Sequence, residues 1–179
     1  MRKIIAGETP AIDEIGVENY AEKLLSRSVL AAAPEIKKSD IVVVQETGQE
    51  AVAKYLEEFA NVFRQLKTRG SENELPIAMH ALDTQEYGKL EQLKDHEDAY
   101  ATALSALRTL RVPASLENFH ISTLNYLSKF KLAVEFMRNA EQDPILAMLA
   151  IIERAPLEDE FKIFLAESQQ KIISEHRNP

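Results

Sequence analysis

The fold class is decided by residues 112–144, which read VPASLENFHISTLNYLSKFKLAVEFMRNAEQDP. Apolar residues recur there at intervals of three and four over roughly thirty positions, and a helix-starting proline stands near each end. This spacing predicts one long amphipathic helix that turns a single face to the core. That face comprises Leu116, Phe119, Leu124, Leu127, Phe130, Val134 and Met137.

Similar periodicity predicts helices on both sides of this segment. Before it, we predict helices over 17–32, over 47–67 and, as a short helix, over 71–82. A third long helix is expected over 83–111, ending there because the residue before a proline is biased away from helix.

The C-terminal part is predicted to be helical as well. Asp143-Pro144 combines an N-cap residue with a proline at the first helical position, so a fifth long helix is expected to begin at once. Pro156 is expected to kink or split it into pieces near 144–154 and 157–175.

The segment Asp40–Val44 is rich in β-branched residues, which favour strand. An isolated strand is not stable, and we find no second strand to pair with it. We therefore predict that this segment is a linker whose valine side chains pack against the bundle.

Short connections between long helices place neighbouring helices antiparallel. The sequence therefore predicts an all-α fold, an up-and-down antiparallel helical bundle of four to five long helices plus a short helix. Residues 17–179 form one helical-bundle domain in this interpretation. Residues 1–16 lack periodicity and are predicted to be a loose lead-in.

Composition excludes several classes of function. With 29 acidic against 21 basic residues the net charge is −8, which on average repels nucleic acid and anionic membranes. The absence of cysteine excludes disulfides, thiolate metal sites and cysteine nucleophiles. The longest apolar run, Ile145–Ile152, is far shorter than the ~20 residues that span a bilayer, so no membrane insertion by this chain is expected.

Packing and capping motifs follow a recognisable order between residues 19 and 155. They are Asn19–Leu25, Lys38–Ile41, Ser71–Leu75, Tyr100 ahead of Val112-Pro113, Phe119-His120 with Leu124-Asn125, and Met137 before Asp143-Pro144. This order resembles an uncharacterised family of helical proteins from candidate-phylum, Parcubacteria-like bacteria. Members usually carry an N-terminal membrane anchor, so the resemblance implies an extracytoplasmic or cell-envelope location and brings no catalytic residues. This sequence lacks that anchor, and a native N-terminus would imply a cytoplasmic protein.

Glu117 and His120 have the Glu-x-x-His spacing that holds one metal ion in ferritin-like bundles. Such a site needs a second Glu-x-x-His, and none of His80, His96 or His176 has a glutamate three residues before it. We therefore predict no metal site and no cofactor. His120 is interpreted as a hydrogen-bonded core histidine, and metal binding by Glu117 and His120 stays the alternative.

His96 lies within the charge run Lys94–Asp98, and we interpret this run as a solvated patch near the bundle end, with a pH-sensitive role as the alternative. A small-ligand pocket beside His120 is a further alternative. It would be lined by Tyr87, Tyr100, Tyr126 and Phe130.

The run Ile145–Ile152 is apolar on all sides of its helix, which is typical of a central helix or of a surface that binds a partner. Burial is the favoured interpretation. The exposed alternative gives the candidate partner-binding residues Ile145, Met148, Leu149 and Ile152.

These observations lead to three hypotheses, none of them enzymatic, because no nucleophile has a matching base and orienting acid. The first is an interaction or scaffold module, associated with the bacterial cell envelope, that binds a protein partner or a second copy. The second is a bundle that binds a small ligand or metal through His120. The third is a sensory bundle whose helices shift on binding.

Overall fold

The structure, a computed structural model, describes residues 28–46, 48–69 and 74–176, without the side chains of 68, 69 and 176. The predicted all-α helical bundle is confirmed. The α-helices in these ranges are α1 Gln49–Arg69, α2 Glu74–Thr84, α3 Leu93–Arg108, α4 Glu117–Arg138 and α5 Pro144–His176. Of the helix predicted over 17–32, only the end is described, where Val29–Ala32 forms a 3-10 helix. The lead-in predicted for 1–16 lies outside the described residues.

Helix α4 is the centre of the bundle and packs against both α3 and α5. Its predicted apolar face is buried, including Leu124, Leu127, Phe130, Val134 and Met137. None of the helices in the described ranges is long and apolar enough to cross a membrane.

Leu124 offers a direct test of this register, because its side chain is completely buried in the middle of α4. We expect Leu124→Ala to lower the free energy of unfolding by about 2–5 kcal/mol, since it removes buried apolar area and leaves a cavity. Urea denaturation measures the change. A loss below about 0.5 kcal/mol, the usual scale for surface substitutions, would contradict the register.

The prediction that Asp40–Val44 is a linker is wrong, because Val42–Val44 is a β-strand, β1. It pairs in parallel with β2, Arg111–Pro113, in the register Val43 opposite Val112. The second strand lies at the end of the predicted third helix, where the bias against helix before Pro113 leaves extended backbone. Three α-helices and a 3-10 helix lie between the two strands in the described part of the chain, so local sequence patterns could not predict that the strands pair.

The third long helix also begins later than predicted. Helix α2 extends to Thr84, and Gln85 takes a left-handed conformation (φ 58°) that ends it. A 3-10 helix over Tyr87–Gln92 then leads into α3. Residues 83–86, predicted to start the third long helix, therefore hold the end of α2 and the turn after it.

The predicted split at Pro156 does not occur, and α5 runs continuously for 33 residues. The Asp143 side chain caps its start by accepting a hydrogen bond from the Leu146 amide (2.9 Å). Arg154 and Leu157, on either side of Pro156, are both buried against the bundle. These contacts offset the hydrogen bond that the proline removes.

Candidate functional site

A cavity of about 640 Å³ lies among the five α-helices. This volume is within the range of small-molecule sites, which are mostly apolar with a few polar groups. The apolar part of its wall comprises Phe63, Leu66, Leu127, Phe130, Phe161 and Leu165. We call this space the central cavity.

A depression of similar volume, about 660 Å³, lies between α3, α4 and the segment near Pro34. Its charged groups are Arg108, Lys131 and Glu135, none of which is buried, and its described lining contains no aromatic ring. The central cavity is the stronger candidate because buried charges and aromatic rings converge on it.

Arg154 is the main charged group of the central cavity. Its guanidinium donates to Glu74 Oε1 through Nε at 2.8 Å and forms an ion pair with the same oxygen through Nη2 at 2.6 Å. It also donates to the Tyr100 hydroxyl at 3.2 Å and to Glu158 at 3.1 Å. Its Cζ atom lies 4.2 Å from the centroid of the Phe130 ring, which adds a cation–π contact.

Burial and the charges of the network shift the pKa values of Tyr100 and Arg154. Burial, and then the negative charge of Glu74, raises the pKa of Tyr100 to about 12, so this hydroxyl stays protonated at neutral pH. Burial acts to lower the pKa of Arg154, but Tyr100 and Glu74 outweigh it and the net pKa is raised. The cavity therefore holds a permanent buried cation beside a neutral phenol.

His96 belongs to this network, and the solvated patch predicted for it is wrong. Its side chain is buried, lines the central cavity and places Nδ1 3.9 Å from Glu74 Oε2. Helix α2, which carries Glu74, lies over the part of α3 that was expected to face solvent. The charged neighbours Lys94 and Asp98 do point outward and pair with each other.

Two lysines extend the polar side of the cavity to the surface. Lys67 of α1 and Lys162 of α5 line it and are exposed. The hydrogen bond from Lys162 is the largest factor that lowers the pKa of Glu158, ahead of the charge of Arg154. Apart from His96, the lining carries Lys67, Arg154 and Lys162 against two carboxylates, a positive balance on a chain of net charge −8.

His120 is the hydrogen-bonded core histidine that the sequence predicts. It is fully buried, and its Nδ1 lies 2.7 Å from the Tyr55 hydroxyl. Its other ring nitrogen, Nε2, has no hydrogen-bond partner in the part of the chain that is described. Glu117 instead pairs with Lys38 at 2.7 Å, and no group of three histidine or acidic side chains in those ranges is arranged to hold a metal ion.

Burial lowers the pKa of His120 to about 4. Because the unfolded chain binds the proton near pH 6.5 and the folded chain does not, stability should fall as pH drops from about 6.5 to about 4. The loss should reach about 3 kcal/mol. Denaturation at several pH values measures it, and His120→Gln should reduce this slope. An equal slope in both proteins would contradict the assignment.

The lining predicted for a ligand pocket beside His120 is only partly correct. Tyr100 and Phe130 do line the central cavity, whereas Tyr87, Tyr126 and His120 do not. Tyr126 packs against Phe161 and Phe164, behind the cavity wall. The histidine at the cavity is His96.

The candidate partner-binding residues divide between the two sides of α5. Ile145, Met148 and Ile152 are 62%, 55% and 56% exposed, whereas Leu149 is only 9% exposed. Helix α5 is therefore buried on one side, which packs on the bundle, and exposed on the other side.

Sequence reasoning missed Arg154 and Glu74. The sequence does contain a signal that Arg154 is buried. At helical spacing, Arg154 belongs to the series of buried residues Ala147, Ala150, Leu157 and Phe161. Glu74 stands likewise in register with the buried Ala78 and Ala81. A charge on an apolar stripe indicates a buried partner of opposite charge.

The chain significantly matches no protein-family model, no curated protein and no solved structure. The resemblance to helical proteins of candidate-phylum bacteria stays a prediction.

Proposed function

We propose that the protein is a non-catalytic helical bundle that binds a small organic anion with an apolar body in the central cavity. The observation that carries this proposal is the buried Arg154 network beside an aromatic wall in a space of about 640 Å³. This role retains the hypothesis of a ligand-binding bundle, but the proposed site contains His96 and Arg154 and does not contain His120.

The charge of the ligand follows from the balance of the lining. Three cationic side chains face two carboxylates, and both exposed lysines lie where a ligand would enter. Lys162 and Arg154 both pair with Glu158, which holds these two cationic side chains close together on one side of the cavity. The rings of Phe63, Phe130 and Phe161 suit an apolar body.

Binding is favoured over catalysis because the polar groups satisfy one another. Arg154 is held by Glu74, Glu158 and Tyr100, and the phenol of Tyr100 stays protonated. Such a network orients a ligand but offers no activated nucleophile or base.

Titration with 1-anilinonaphthalene-8-sulfonate, an aromatic anion, tests the site through its fluorescence. We expect saturable binding of one equivalent and at least ten-fold weaker binding by the variant Leu66→Trp/Leu165→Trp, which narrows the cavity from two walls. Met79→Trp, at a residue that is 56% exposed on α2 and lies outside this cavity, is the matched control and should bind normally. Equal affinity in all three proteins would exclude the central cavity as the site.

A second candidate function is the predicted interaction module. It is favoured by the exposed Ile145, Met148 and Ile152. The cell-envelope association of that module rests on the family resemblance alone.

A further inference from the structure

Glu74 and His96 are buried polar residues that keep unused hydrogen-bonding capacity at the wall of the central cavity. They are 5% and 6% exposed, and both line the cavity. Arg154 and Tyr100 both contact Oε1 of Glu74. The other oxygen, Oε2, faces Nδ1 of His96 at 3.9 Å, which is longer than a hydrogen bond. Within the described part of the chain, neither Oε2 nor the His96 ring takes part in a hydrogen bond.

The neighbouring polar groups of this wall are already engaged with one another. The guanidinium of Arg154 donates to Glu74, Tyr100 and Glu158. A buried polar atom without a partner costs free energy, so such atoms in folded proteins are nearly always hydrogen-bonded. The gap between Glu74 Oε2 and His96 Nδ1 is therefore the place where a ligand can gain hydrogen bonds without breaking those of the network.

We propose that the ligand of the central cavity carries a hydroxyl group on its apolar body, and that this hydroxyl binds between Glu74 and His96. The inference rests on the proposed function and specifies its ligand as a hydroxylated organic anion. An oxygen about 2.8 Å from both atoms fits a gap of 3.9 Å. The hydroxyl donates its proton to Oε2 of Glu74, because an ionised carboxylate only accepts. It accepts from Nδ1 of His96, where the nearby carboxylate favours the tautomer with the proton on that nitrogen.

The charges around this gap favour a neutral donor over a charged group. Nη2 of Arg154 lies 2.6 Å from Glu74 Oε1, so a cationic group of the ligand would be repelled by the guanidinium. An anionic group would be repelled by the Glu74 carboxylate. The anionic group of the ligand is expected instead at the exposed Lys67 and Lys162. A hydroxyl is uncharged and can donate and accept at once, as the gap requires.

Calorimetric titration of the native chain with decanoate and three of its hydroxylated derivatives tests this inference. The derivatives are 2-hydroxydecanoate, 6-hydroxydecanoate and 10-hydroxydecanoate. They are isomers, so each removes one hydroxyl from water on binding, and only the position of that hydroxyl differs. We expect one isomer to bind roughly ten-fold or more tightly than decanoate, because it alone places its hydroxyl between the carboxylate and the imidazole.

Two variants at His96 separate the hydrogen bond from the shape of the cavity. His96→Leu removes the donor and should bind decanoate as the native chain does, but without preference among the isomers. His96→Asn retains a donor close to the position of Nδ1 and should keep the preference. His80→Leu removes an exposed histidine of α2 that does not line the cavity, and this matched control should behave as the native chain. Thermal denaturation shows whether each variant is folded.

The outcomes distinguish this inference from the proposed function. Equal affinity of the three isomers, with none tighter than decanoate, would overturn the hydroxyl site and leave the proposed anion site in place. A preference that survives unchanged in His96→Leu would overturn the position assigned to the hydroxyl. Absence of saturable binding for all four probes would overturn the proposed function, and this inference with it. The isomer series on the native chain decides the inference even if a variant at His96 fails to fold.

Discussion

Replacing Arg154 with methionine is expected to lower the free energy of unfolding by about 3–5 kcal/mol, because it leaves the carboxylate of Glu74 buried without its partner. Glu74 is 5% exposed, and Arg154 supplies its closest ion pair, at 2.6 Å. The Nδ1 atom of His96 is 3.9 Å from Glu74 and cannot replace the two contacts that Arg154 makes with Glu74 Oε1. Chemical denaturation, monitored by circular dichroism, measures the loss.

Two controls separate this effect from the loss of a side chain as such. Arg111→Met removes an arginine whose ion pair with Glu46 is solvent-exposed, and it should change stability by no more than about 0.5 kcal/mol. Arg154→Met combined with Glu74→Leu removes both buried charges and should recover most of the lost stability. A loss below about 1 kcal/mol for Arg154→Met alone would mean that the network is not desolvated.

Reversing both cavity lysines is expected to weaken the binding of anionic ligands roughly 10- to 100-fold. Hydrogen bonds to charged groups contribute about 1.5–3 kcal/mol each when sheltered, and less at these exposed side chains. Titration of Lys67→Glu/Lys162→Glu with decanoate measures the change, and decyltrimethylammonium, which has the same tail and a positive head, should bind this variant better than the native protein.

Lys171→Glu is the matched control for charge reversal on α5, since Lys171 is exposed and does not line the central cavity. It should bind decanoate as the native chain does. An equal loss in this control would assign the effect to the net charge of the protein. Unchanged binding by the double variant would remove both lysines from the site.

The helical bundle was predictable because a helix forms between residues that are close in sequence and because its apolar residues recur at regular intervals. The face from Leu116 to Met137 reads directly as α4, and Asp143-Pro144 marks the start of α5 as observed. The pairing of β1 with β2 was not predictable, since three helices intervene and each strand has only three residues. The split at Pro156 was predicted wrongly for a related reason. Tertiary packing of the residues on both sides of Pro156 outweighs the free-energy cost of a proline inside a helix.

The site was harder to predict than the fold. Charged residues were assigned to the surface by default, and only convergence of α2, α3 and α5 shows that Glu74, His96 and Arg154 meet. His96 was assigned to a solvated patch because its neighbours in sequence are charged, although it lies on an apolar side of its helix. Its burial is decided by the contact with α2. His120 was assigned correctly to the core, since it stands in register with Leu116 and Leu124, which are both buried.

The most direct test of the central claim is methyl NMR of the leucine- and isoleucine-labelled protein during titration with decanoate. We predict saturable shifts at one equivalent for the methyl groups of Leu66, Leu127 and Leu165, which line the central cavity. Ile145 and Ile152, which are exposed on α5 and do not line the central cavity, should not shift. Shifts confined to these two isoleucines, or no saturable shift at the cavity leucines, would contradict a ligand site in the central cavity.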